Sequence, residues 1–167
     1  MNVNARLDEQ CTTVVAAAGL LLTSTLGDTT YVSMKGYLRA QIIISIADGT
    51  TVTGSTITLK QATAVAGTSE KALAFTRMLA NTDYGASKAM TETTVTSNTF
   101  TTQTTNSKDS LYIIDLKAED LDVANGFDCF RVDGTGHAAT ASRGCVVIYN
   151  LYGKRYSGGT AVEAIAD

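Results

Sequence analysis

The chain has 167 residues, 44% of them apolar and 17% charged, with a formal charge of −3 and a sequence pI near 5.1. That length holds one domain with a sizeable core and leaves little room for a second. The acidic balance excludes a general affinity for nucleic acid phosphates, which calls for clustered Lys and Arg, and the low charge content leaves a neutral polar surface of the kind that suits an assembly.

Residues 1–28 read as an N-terminal arm of mixed polarity, and Arg6 to Leu22 reads either as a helix or as an extended strap. Its apolar stretch, Thr13 to Leu22 (TVVAAAGLLL), falls short of the roughly 20 residues a membrane-spanning helix needs. Arg6 is outweighed by Asp8 and Glu9, so the positive start of a signal peptide is missing. No membrane is expected, and the stretch must be covered by its own domain or by a neighbouring subunit.

From Thr29 onward the pattern is of strands separated by turn chemistry. Pro and Trp are absent, so Gly, Asn, Asp and Ser must make the turns. Tyr31 to Leu38 is a first strand. Gln41 to Ile46 is a β-branched run closed by Asp48-Gly49, a good turn pair. Thr56 to Gln61 alternates, with Ile57 and Leu59 on one face and Thr56, Thr58 and Lys60 on the other, which predicts a half-buried antiparallel strand. Ala72 to Met78 places Leu73 and Phe75 on the core side. Thr91 to Thr102 is Thr-rich, anchored by Val95 and Phe100, and expected to break in its middle. Leu111 to Lys117, Phe127 to Val132 and Cys145 to Tyr152 complete the series. Ala118 to Leu121 favours one helical turn, Leu121 and Val123 interleave as core-facing anchors, and Asn125-Gly126 turns the chain into the next strand.

About eight short strands with turns every 8–18 residues or so predict an all-β fold: a single β-sandwich or jelly-roll-like domain with an N-terminal arm and one short helical turn. Residues 29–156 form the sandwich and 157–167 a C-terminal tail.

Catalytic and metal chemistry finds little to work with. Cys11, Cys129 and Cys145 are widely spaced and odd in number, which fits neither a zinc site nor a disulfide framework; Cys129 and Cys145 lie in apolar runs and read as buried thiols of a protein made in the cytosol. The alternative is a Cys129–Cys145 bridge between neighbouring strands, which needs an oxidising compartment. The single histidine, His137, sits in a Gly-rich segment with no nucleophile elbow beside it. The acidic group Glu119, Asp120, Asp122, Asn125 and Asp128 fails the register of a calcium loop, because Ala124 and Asn125 fall where a ligand and a glycine are required. Gly134-x-Gly136 and Gly158-Gly159 lack the Lys-Ser/Thr of a phosphate loop. No enzyme activity, metal or cofactor is expected. Lys154, Arg155, Tyr149, Tyr152 and Tyr156 form a basic-aromatic group that reads as a protein interface rather than a nucleic-acid site.

Several segments together resemble a family of small proteins encoded among the virion structural genes of tailed phages, near the major capsid gene. They are Tyr31-Val-Ser-Met-Lys-Gly-Tyr37, Thr56-Ile-Thr-Leu-Lys-Gln-Ala-Thr63 with Val65-Ala-Gly-Thr68, and Lys71-Ala-Leu-Ala-Phe-Thr76. Further on come Lys117 to Cys129, Leu151-Tyr-Gly-Lys-Arg-Tyr156 and Ala164-Ile-Ala-Asp167, so the likeness spans nearly everything after residue 28. The resemblance implies a virion protein and carries no catalytic or metal residues. Capsid decoration (a cement protein) is the role that the scaffold suits, with a head-tail connector or tail-tube component as the alternative and a carbohydrate-binding β-sandwich behind it. The expected partners are the major capsid protein and further copies of the chain, as trimer or dimer. The expected contacts are Val14, Val15, Leu20, Leu21 and Leu22 in the arm, Tyr152, Arg155 and Tyr156 at the last strand, and Val162 and Ile165 in the tail. The expected location is the capsid surface, after assembly in the host cytoplasm.

Overall fold

The computed structural model describes residues 10–21, 29–47, 54–135 and 144–155, and of residues 18–21 the backbone only. Eleven strands follow in chain order: β1 (Cys11–Leu21), β2 (Val32–Ser33), β3 (Tyr37–Ala47), β4 (Thr56–Ala62), β5 (Lys71–Ala72), β6 (Arg77–Asn81), β7 (Thr91–Thr94), β8 (Thr99–Thr101), β9 (Ser110–Lys117), β10 (Cys129–Gly134) and β11 (Gly144–Lys154). Two single 3-10 turns, Ala118–Asp120 and Val123–Asn125, lie between β9 and β10. The strands make two antiparallel sheets, one ordered β1-β11-β3-β9-β6-β7 and the other β2-β10-β4-β5, with β8 also on β4. This is the all-β sandwich expected from the sequence.

The core follows from period-two alternation, which sends successive side chains to opposite faces. In β3, Ala40, Ile42, Ile44 and Ile46 are fully buried, and the neighbouring β11 contributes Cys145, Val147, Tyr149 and Leu151. Ile57 and Leu59 of β4 with Phe130 and Val132 of β10 meet them from the other sheet. Each fully buried isoleucine contributes about 2–3 kcal/mol through the apolar surface it withdraws from water. Phe75, Phe100 and Tyr112 form an aromatic chain, with ring centroids 6.3 and 5.0 Å apart. Val95 and Phe100 are buried, and the Thr-rich stretch is broken between β7 and β8 as its sequence suggests.

Four expectations need correcting. The N-terminal segment is, over Cys11–Leu21, extended and not helical, and it is the edge strand of the chain's own larger sheet, antiparallel to β11. The sandwich therefore starts well before Thr29, because Val14 and Ala16 pack against the core and Ala17 joins it. Tyr31 to Leu38 is not one strand, since a turn at Lys35 and Gly36 separates β2 from β3. Ala72 to Met78 likewise divides between β5 and β6, one in each sheet, with Leu73 and Phe75 still buried between them. Val123 is no core anchor: it is 54% exposed, because the chain there coils in a 3-10 turn in place of alternating.

Candidate interaction site

One end of the sandwich gathers the chemistry that most resembles a docking surface. β9 ends at Lys117 beside Arg39 near the start of β3, and the two 3-10 turns follow. The first turn is braced from one side, with the Lys117 amide donating to Asp120 Oδ2 at 2.8 Å. Leu121 then enters the core at 4% exposure. The second turn closes on Gly126 at φ +80°, a left-handed position that costs glycine nothing. The Asp122 amide donates to Gln61 Oε1 at 2.9 Å, which ties the turns to β4. From the other side β11 delivers Arg155, whose amide donates to Gly36 O at 3.0 Å and whose Nε donates to Tyr37 O at 3.1 Å.

Between these elements lies an open depression of about 430 Å³, lined on its apolar side by Ala118, Leu121, Val123 and Ala124 and edged by Glu119 and Arg155. Leu38, 52% exposed, stands at the same end beside Gly153, whose φ of +69° places its α-carbon so that an added Cβ would meet Leu38 Cβ at 3.1 Å. Two exposed large aliphatics with an arginine at the rim make a surface of the composition proteins use to bind one another. The acidic side chains here are occupied. Asp122 takes Lys71 and both of its oxygens accept Asn125 Nδ2, at 2.9 and 2.8 Å, and these hydrogen bonds hold its carboxyl below the usual range. Among the described residues no three His, Cys, Asp or Glu side chains gather as a metal site.

The outer face of the smaller sheet carries a second polar group. Lys60 bridges Glu70 at 2.5 Å and Asp133 at 2.7 Å, and Arg131 bridges the same two carboxylates at 2.8 and 3.0 Å. The Tyr31 hydroxyl donates to Glu70 Oε2 at 2.6 Å beneath the Arg131 guanidinium, which lies 4.8 Å from the ring centroid. Hydrogen bonds from Lys60 and then Tyr31 lower the Glu70 pKa, whereas burial and the bond to Glu70 raise that of Tyr31. A carboxylate so stabilised is a weak base at neutral pH. The network braces β4, β10 and the chain entering β5.

On the larger sheet, Asp115 of β9 pairs with Arg39 of β3 and accepts the Tyr152 hydroxyl at 2.7 Å. The basic-aromatic group expected at the last strand is thus divided. Tyr149 points into the core at 0% exposure, Tyr152 lies on the outer face, and Arg155 lines the end depression. Of the other expected contact residues, Val14 faces inward against the core and Val15 is 59% exposed. Leu20 and Leu21 belong to β1 by backbone, while Leu22, Tyr156, Val162 and Ile165, with His137, lie outside the described residues. Cys129 and Cys145 are buried and Cys11 is half-buried, and none of the three is in a disulfide. Sequence reasoning did not find Leu38 or the Glu70 network, since both depend on chain segments brought together only by the fold.

Fold and site together define a two-sheet β-sandwich with an apolar, arginine-edged end. No known family model matches the chain, and no curated protein matches it. Among solved structures it is similar to the SPBc2 prophage-derived protein YomS at 10% identity and a TM-score of 0.43, over 85% of this chain and 91% of that one.

Proposed function

We propose that the chain is a structural protein of tailed-phage virions, a decoration (cement) protein that binds the capsid lattice at its surface and stabilises it without catalysis. Virion membership rests on the resemblance of the segments from Tyr31 to Asp167 noted above. The observation that carries docking is this end of the sandwich, where exposed Val123 lines the depression with Arg155 and exposed Leu38 stands beside Gly153. A closely packed sandwich holds that end rigid, which lowers the ordering cost of binding. The partner in this reading is the major capsid protein.

Copy number tests it. Densitometry of purified virions should give the chain in numbers comparable to the major capsid protein, and the double variant Leu38→Asp, Val123→Asp should fold normally yet leave capsids bare. A few copies per particle would instead assign it to the head-tail connector, and undiminished occupancy of the double variant would remove the end depression from the contact.

A further inference from the structure

The outer face of the larger sheet carries an aliphatic row that the docking end does not use. Register partners place Val15, Ile148, Ile43, Ile113 and Leu79 side by side across β1, β11, β3, β9 and β6. All five alternate with core residues and so face away from the other sheet; Val15 is exposed and the other four half-buried. The next row adds Val146 and Leu111 on either side of Ser45. Single half-buried aliphatics are ordinary on a sheet surface, but a contiguous band over five strands is the kind of patch that marks an interface.

We infer that this face packs against the same face of a second copy of the chain, forming a two-fold dimer with Ile43 near its centre. Charge permits it. The five-strand rows hold no charged residue; the first runs on to Glu92, the β7 partner of Leu79, and that charge and its neighbour Asp115 are paired within the sheet, Glu92 with Arg77 at 2.8 Å and Asp115 with Arg39. An isologous contact brings the same patch of both copies together, so a face whose charges are absent or neutralised meets itself without repulsion. Area permits it as well. With strands of the observed lengths, a rise of about 3.3 Å and a spacing of about 4.8 Å give the outer face roughly 800 Å², which matches the roughly 800 Å² per partner of a standard interface. The contact is by face and not by edge. β1 shifts register between Val15 and Ala17 and again between Ala17 and Leu20, and irregularities of that kind blunt an edge against further strand pairing.

The purified full-length chain, in solution and without capsids, tests this independently of the virion reading. Sedimentation velocity from micromolar to hundred-micromolar concentration should show a reversible dimer. Ile43→Lys should raise its dissociation constant by roughly tenfold or more, with Ile43→Ser, the milder change, moving it the same way. Circular dichroism and thermal melting confirm that both fold, and Thr101→Lys on the other sheet should leave the dimer intact. A chain monomeric throughout the range, or dimers indifferent to both Ile43 variants, would overturn the inference. So would a monomer that dimerises through Ile43 only after residues 156–167 are removed, which would assign the face to the chain's own C-terminal segment.

Discussion

The phenolic oxygen of Tyr149 in β11 accepts the backbone N–H of Val132 in β10 at 2.9 Å, joining the two sheets through the middle of the core. β10 pairs with β2 only at Cys129 and Phe130. Beyond that point Val132 has no strand partner on that side, so Tyr149 serves its N–H while the Thr29 hydroxyl serves its carbonyl. Removing the phenolic oxygen leaves a buried amide unpaired, which costs about 1–3 kcal/mol. Tyr149→Phe should therefore lower the unfolding free energy by that amount, read as a lower urea midpoint with an unchanged m-value, although the ring still packs against Phe130 at 5.0 Å.

The same burial makes the fold sensitive to alkali. It pushes Tyr149 up to about 12, and Tyr152 likewise to about 12, where the bond to Asp115 adds to burial. A phenol whose folded pKa is raised contributes stability that is complete below its unfolded pKa near 10 and is lost as the pH climbs from there through the folded value. The unfolding free energy from urea titration should hold to about pH 9–10 and then decline, by at most about 1.4 kcal/mol per pH unit for each such group. Tyr149→Phe should make that decline shallower; an equal slope in the variant would show that Tyr149 is not a source of it.

Acid acts through Glu70. Its pKa is lowered, by the Lys60 bond first and then by the Tyr31 hydroxyl. Its contribution is accordingly present above the unfolded carboxylate pKa near 4 and lost as the pH falls through the lower folded value. The side chain is 32% exposed, so the gain stays at about 1 kcal/mol or less and weakens with salt. Glu70→Gln should cost that much at pH 7 in low salt and nothing at pH 2, by urea titration at both pH values.

The sandwich was legible because its central strands keep strict alternation: Ile57 and Leu59 in β4, and Tyr112, Ile114 and Leu116 in β9, are buried in turn. Even the role of Tyr149 is implicit in parity, since it shares a face with Cys145, Val147 and Leu151 and not with Tyr152. β1 was not legible as a strand. Its Thr-Val-Val-Ala-Ala-Ala-Gly run has no period of two, and its partner β11 lies at the far end of the chain, so nothing local signals the pairing. The docking end was visible only in part. Arg155 stood out by composition, but Val123 comes to line the depression with it through the 3-10 turns, and Leu38 meets Gly153 through the pairing of β3 with β11, which no sequence spacing displays.

That reassignment of β1 changes what an N-terminal truncation measures. Deleting residues 1–27 would strip β11 of its antiparallel neighbour and uncover the core beside Val14, Ala16 and Ala17. It would also remove Thr12, whose hydroxyl bonds the buried Tyr37 hydroxyl at 2.8 Å. Lost apolar burial alone should lower stability by roughly 3 kcal/mol, and the newly bare β11 edge should promote aggregation. Reduced capsid occupancy after such a deletion would then report unfolding as readily as lost contact. Val15→Lys separates the two effects, because an exposed side chain facing away from the core should alter monomer stability by no more than about 0.5 kcal/mol. Thermal melts at low protein concentration should show the truncated chain melting well below the intact one and Val15→Lys melting with it; a truncated chain as stable as the full one would mean that β1 adds nothing to the fold it borders.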